Sequence, residues 1–142
     1  VYKRQILYNP LSKTKGTTNA LTSLVDVYPT LVELCELDAP KKQLDGVSLV
    51  PVLNDPNSEG KKYVFIKKNN GFTLKTKRFS YTEFIKSQDN STVARMLYDH
   101  RSTKSENINV VHHQEFESVV AELSSTLHSA FQKNITGESK KE

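Results

Sequence analysis

Asp99, His100, His112 and His113 lie close together in the sequence and have types that could hold a metal ion or move a proton. Imidazole and carboxylate groups suit zinc, and structural zinc sites place them at short, fixed spacings. Asp99-His100 and His112-His113 match none of those spacings, and neighbouring histidines rarely ligate one ion together. As an acid–base pair, Asp99-His100 would need a nucleophile at a matching place, and none is found. A surface loop and a helix cap are the expected roles. The single cysteine, Cys35, has no partner for an internal disulfide and falls on an apolar helix stripe, so a buried thiol is expected. Asn90-Ser91-Thr92 and Asn134-Ile135-Thr136 have the N-glycosylation pattern, which also arises by chance. Phe72, Phe79, Tyr81 and Phe84 could stack on a sugar, but packing beneath a helix is the expected role.

These residues depend on the elements that carry them. Pro29 sits just after Asp26 with no other breaker before Pro40. Proline is tolerated in a first helical turn because the amide it lacks would be unpaired there. Asp26 is expected to cap that helix. Tyr28, Leu31, Val32 and Cys35 form one apolar stripe on it, and Leu24, Val27, Leu31 and Leu34 a second. A helix apolar on most of its circumference expects cover from two sides. Asp45-Gly46 marks a turn, and Ser48 is expected to cap a short helix through Leu53. Gln5-Ile6-Leu7-Tyr8, ended by Asn9-Pro10, reads as a strand.

From Tyr63 the period changes to alternation. Two runs flank Asn69-Asn70-Gly71, a strong hairpin signal. A third strand follows a corner at Lys77-Arg78, and a fourth covers Arg95 to Asp99. Polar loops occupy 87–91 and 101–109. From Gln114 a helix is clear, with Phe116, Val119, Val120, Leu123, Leu127 and Phe131 at helical spacing. The expected fold is α+β: an antiparallel sheet of about four strands packed by the C-terminal helix, preceded by a strand and two short helices.

Composition narrows the class. Hydrophobic residues make up 36% and charged residues 25%, which is globular but polar. The net charge is +4, but the lysines and arginines are spread out, so a solvated surface is expected rather than a nucleic-acid site. No run of about 18 apolar residues could span a bilayer. The chain opens without an initiator Met, a signal peptide or a capped element, so it is expected to be the C-terminal piece of a longer protein.

"VDVYPTL" at 25–31, followed by "DGVSLVPVL" at 45–53, resembles the start of the C-terminal subdomain of the sulfatases, in particular their iduronate-2-sulfatase-like branch. "GFTLKTKRFSYTEF" resembles that family's glycine–aromatic hairpin, and "LYDH" with Asn107 and Asn109 its next strand and loop. The chain departs from the family at Lys75, Thr103-Lys104 and Phe84, where Arg, Asp-Pro and Trp are usual. The resemblance implies that 1–62 is the edge of a missing α/β catalytic domain of the alkaline phosphatase superfamily. It implies that 63–136 is the C-terminal subdomain, with 137–142 a disordered tail.

The resemblance also implies a parent enzyme that hydrolyses sulfate esters of sulfated carbohydrate, using Ca2+ and a formylglycine made from Cys or Ser two residues before a proline. The residues two before each proline here are Tyr8, Val27, Asp38, Leu49 and Asn54, so the nucleophile is absent, and no calcium motif is present. The expected catalytic and metal residues of this chain are therefore none. Asn69, Asn70 and Gly71, with the 87–91 loop, are the candidate walls of a substrate cleft. The implied partner is the upstream catalytic domain, and the implied location periplasmic, secreted or lysosomal. The alternatives are a stand-alone α+β binding module and the C-terminal part of another hydrolase of the superfamily.

Overall fold

The computed structural model describes residues 6–9, 14–38, 44–86, 88–101 and 106–135, with side chains as far as residue 130. The expected tail at 137–142, Ser87, the Phe131 side chain and Thr136 of the second glycosylation triplet lie outside the described residues. Two compact units are present, Val1–Lys61 and Lys62–Glu142.

In the first unit a single 3-10 turn, Leu24–Asp26, runs into helix α1, Val27–Leu34. Ser23 and Asp26 close a capping box on the turn: the Ser23 amide donates to Asp26 Oδ2 at 2.8 Å. The Asp26 side chain thus reaches back, and it does not cap α1 as expected. At the other end, Glu36 takes a left-handed φ of 51° and the Leu37 amide bonds the Val32 carbonyl at 3.0 Å. This return satisfies carbonyls that the last helical turn leaves open. Helix α2, Val50–Asn54, starts two residues later than Ser48, with Leu49 as its cap residue and Pro51 in its first turn. Ser48 Oγ still accepts the Val50 amide at 3.2 Å.

Two expectations fail in this unit. Residues 6–9 carry no regular structure, because no described segment pairs with them and a strand needs a partner ladder. Cys35 is exposed, not buried. The buried face of α1 is set by Thr30, so the Tyr28–Leu31–Cys35 stripe turns outward, with Tyr28 55% and Leu31 52% exposed.

The second unit is a four-stranded antiparallel sheet in sequential order: β1 (Val64–Lys68), β2 (Gly71–Lys75), β3 (Phe79–Ile85) and β4 (Thr92–Asp99). A 3-10 turn, Gln114–Phe116, leads into α3, Glu117–Ile135. Strand alternation sends Phe72, Leu74, Phe79, Tyr81, Ile85 and Leu97 into one core, where Leu123 and Leu127 of α3 meet them. Strand β4 starts at Thr92, three residues before the expected Arg95, because it pairs β3 along its whole length, with a register shift at Phe84/Ile85. Phe84 falls on the opposite face from Phe72, Phe79 and Tyr81, so only those three of the aromatic set pack in the core beneath α3. On that opposite face Ile66, Thr73, Thr82 and Met96 lie in register, with the two threonine hydroxyls 2.8 Å apart. The result is the expected two-layer α+β arrangement.

Candidate functional site

Antiparallel pairing brings the end of β1, the start of β2, the end of β3 and the start of β4 to one end of the sheet. Both candidate cleft-wall loops are therefore neighbours. Asn69 and Asn70 make a two-residue link, with Asn69 in the left-handed region at φ 53°. Asparagine tolerates this conformation better than most residues. The Asn70 carbonyl accepts the Ile85 amide at 2.8 Å, tying the first turn to β3. Gly71 is buried, and a Cβ there would lie 3.1 Å from the Phe84 ring and 3.3 Å from the Lys68 carbonyl oxygen. In the second loop the Lys86 amide bonds the Ser91 carbonyl and the Asn90 amide bonds the Lys86 carbonyl, both at 2.9 Å. Asp89 accepts from the hydroxyl and amide of Ser91, which holds its carboxyl below the ordinary range. Asn69, Asn70, Asn90, Lys67, Lys68 and Lys86 are all exposed around this end. Amides and ammonium groups of this kind can bind a polar or anionic ligand, but they include no nucleophile.

The residues that could do other chemistry are held in structural roles. Asp99 accepts from the Arg78 guanidinium at 2.7, 3.1 and 3.2 Å, which holds its carboxyl below the usual range. The same guanidinium lies 4.3 Å from the Phe79 ring centre and 5.9 Å from that of Phe116. His100 turns away from Asp99 to Ser80, with Nε2 2.8 Å from Oγ. Ser80 Oγ also donates to Glu106 at 2.7 Å. This Ser–His–Glu set is not a nucleophile triad. The carboxylate accepts the serine hydroxyl's hydrogen bond itself and approaches the same imidazole nitrogen, at 3.4 Å, instead of orienting the other one. His112 and His113 are exposed, and His113 sits beside Glu115 and the Phe116 ring. Among the described residues no three His, Cys, Asp or Glu side chains converge to hold a metal ion.

Two carboxylates, Glu83 and Asp26, are buried on partners that the sequence pattern does not show. Glu83 lies on the core face of β3 with no exposure. Its Oε1 accepts from Tyr81 at 2.5 Å and Ser124 at 2.7 Å, and its Oε2 from Thr92 and His128, both at 2.9 Å. Arg95 Nε lies 3.8 Å away. Burial pushes the Glu83 carboxyl up, but the four hydrogen bonds outweigh it and hold it below its ordinary value. Burial and the Glu83 contact push the Tyr81 phenol up, so it stays a donor. Glu83 thus bolts α3 to β3 and to the start of β4.

Asp26, equally unexposed, accepts from the Ser23 amide and hydroxyl and from the Val47 amide at 2.9 Å, and pairs with Lys61. Burial raises its pKa, while Lys61, Val47 and Ser23 together hold it below the ordinary value. One turn on, Thr30 Oγ1 donates to the Asp26 carbonyl at 2.6 Å and accepts the Leu49 amide at 2.8 Å. Between these bonds Gly46 presses against the 3-10 turn, where a Cβ would fall 2.0 Å from the Val25 carbonyl oxygen. "VDVYPT" and "DGVSL" are therefore two halves of one lock: Asp26 and Thr30 hold Val47 and Leu49, and only glycine fits between.

Residues 5–133 match the family described as N-sulphoglucosamine sulphohydrolase, C-terminal. No match is found among curated proteins. Three solved structures share the fold. A protein in complex with its substrate D-glucosamine-2-N,6-O-disulfate aligns with 82% of this chain and 25% of its own, at 21% identity and a TM-score of 0.62. The phosphonate monoester hydrolase of Agrobacterium radiobacter aligns with 79% of this chain and 25% of its own, at 24% identity and a TM-score of 0.62. A protein of Bacteroides thetaiotaomicron assigned to the sulfatases aligns with 76% of this chain and 24% of its own, at 22% identity and a TM-score of 0.60. The chain spans about a quarter of the length of each. The chain is a sulfatase C-terminal domain and belongs to the N-sulphoglucosamine sulphohydrolase C-terminal family.

Proposed function

We propose that this chain is the C-terminal part of an enzyme that hydrolyses sulfate groups on sulfated carbohydrate. Within it, the chain completes the fold and forms one wall of the substrate cleft at Asn69, Asn70 and Gly71. The observation that carries this reading is the family match over residues 5–133, supported by the Asp26–Thr30–Gly46 lock that gives the family-like motifs a structural purpose. The chain supplies no nucleophile and, alone, is inactive. The resemblance to the sulfatases assigns Ca2+ and formylglycine to the upstream catalytic domain. This chain's part is to bind and orient sugar with exposed amides. The outward face of α1, with Tyr28, Leu31 and Cys35, suits cover by that upstream domain.

Two substrates fit. The motif text favours an iduronate-2-sulfatase-like enzyme acting on a 2-O-sulfated uronic acid. The name of the matching family favours N-sulphoglucosamine instead. The test is to read the coding sequence upstream of Val1 and to express the whole product. A Cys or Ser two residues before a proline and followed by Arg, with paired acidic residues, is expected. Release of sulfate from one of the two sugars then selects the branch. A product with no such motif and no release from either sugar sinks the reading in favour of a stand-alone binding module.

A further inference from the structure

The sequence spreads its lysines, but the fold gathers some of them. Lys67 and Lys68 end β1, and Lys86 follows β3, so all three flank the sheet end that carries Asn69, Asn70 and Asn90. Lys68 and Lys86 are exposed, and neither has a carboxylate within ion-pair distance among the described residues. Lys67 Nζ is held 5.3 Å from the Phe72 ring centre. The one acid in the second loop, Asp89, is taken up by Ser91. Lys68 lies level with Phe84 two strands over, and Lys86 follows two residues on, so with strands spaced by about 4.8 Å and residues by about 3.3 Å their backbones stand about 12 Å apart. The turn at Asn69-Asn70 and the loop that follows Lys86 are both held by main-chain hydrogen bonds, so the amide side chains of the three asparagines are presented from a fixed frame.

The geometry points to a polyanion subsite at this end of the sheet. Lys68 and Lys86 there take the sulfate or carboxylate groups of sugars flanking the one that is hydrolysed, and Asn69, Asn70 and Asn90 take their hydroxyls. This deepens the proposed function and rests on it: the substrate is a multiply charged oligosaccharide, held beyond the reacting sugar. Ammonium groups suit this task because they pair with sulfate without demanding the fixed geometry of a guanidinium.

The test is binding of the full chain to a heparin-derived oligosaccharide, its desulfated counterpart and a DNA oligonucleotide of equal charge. Lys68→Gln/Lys86→Gln is compared with the charge-matched pair Lys68→Arg/Lys86→Arg and with Lys77→Gln, an exposed lysine between β2 and β3 at the other end of the sheet. Each lost charge-assisted contact is expected to weaken binding of the sulfated sugar by about tenfold. Arginine is expected to retain binding, Lys77→Gln to leave it unchanged, and the desulfated sugar to bind weakly. No binding by the unaltered chain, an unchanged double variant, or an equal loss in Lys77→Gln overturns the subsite. So does DNA that binds as tightly with the same lysine dependence, which marks an unspecific cation patch. In the whole enzyme the double variant is expected to raise KM on the oligosaccharide and to leave the single sulfated sugar unaffected. Sulfate release with unchanged KM on both overturns the subsite alone. Binding by the chain without any sulfate release by the whole product overturns the proposed function alone.

Discussion

Glu83→Gln isolates what fastens α3 to the sheet. The buried carboxylate accepts four hydrogen bonds from Tyr81, Ser124, Thr92 and His128. An amide of the same shape keeps one accepting oxygen and turns an NH2 toward the donors on the other. Two charge-assisted bonds are lost, each worth about 1.5–3 kcal/mol, and rotation of the hydroxyls recovers part of that, leaving about 2–4 kcal/mol. Amide hydrogen exchange along residues 117–130 reads this directly, since α3 must lift to exchange. Exchange should quicken by about 30- to 1,000-fold, at tenfold per 1.4 kcal/mol. The pH dependence carries the same sign. The folded-state pKa of Glu83 is depressed, so its contribution is fully present above the ordinary value of 4.5 and is lost as pH falls through the folded value. The quickening caused by Glu83→Gln should therefore be full at neutral pH and shrink below about 4.5. Exchange rates for the variant within twofold of the parent at neutral pH would refute the clamp.

Three further outcomes follow from the first unit. Asp26→Asn loses the Lys61 ion pair inside a site with no exposure, and should destabilise residues 24–49 by about 3–5 kcal/mol, read as local exchange. Gly46→Ala places a methyl 2.0 Å from the Val25 carbonyl oxygen, so about 3 kcal/mol or more is expected, visible as lost soluble yield. Leu24, Tyr28 and Leu31 are each more than half exposed, so the chain alone should bind an apolar dye that it no longer binds when expressed with the proposed upstream domain.

The second unit was largely legible because its signals are local. Asn69-Asn70-Gly71 sits between two alternating runs, and the stripe through Phe116, Val120, Leu123 and Leu127 repeats at helical spacing, so hairpin and helix could be named before packing was known. Glu83 was hidden by the same alternation. It shares a face with Phe79 and Tyr81, and nothing in the pattern shows that Ser124 and His128 arrive from 41 and 45 residues away to satisfy it. The one clue was a charged residue on an apolar face. Asp26 misled for a related reason. A carboxylate before a proline-started helix is a good cap, but Val47, 21 residues on, and Lys61 compete for it from outside the local sequence. Cys35 followed Asp26, since the face of α1 that turns inward is decided by Thr30 and Leu49, not by the widest apolar stripe. Turn chemistry marks the two loops and the family resemblance gives them a cleft-wall role, but their meeting at one sheet end follows only from strand order.

The central claim is that this chain shapes a sulfatase cleft whose chemistry is supplied upstream. Sulfate release from a sulfated sugar with added calcium, measured side by side for the chain alone and for the product of the whole coding sequence, tests it most directly. Release by the whole product and none by the chain above a boiled control is the predicted result. Turnover by the chain alone would contradict the account, because none of its described residues forms a nucleophile site.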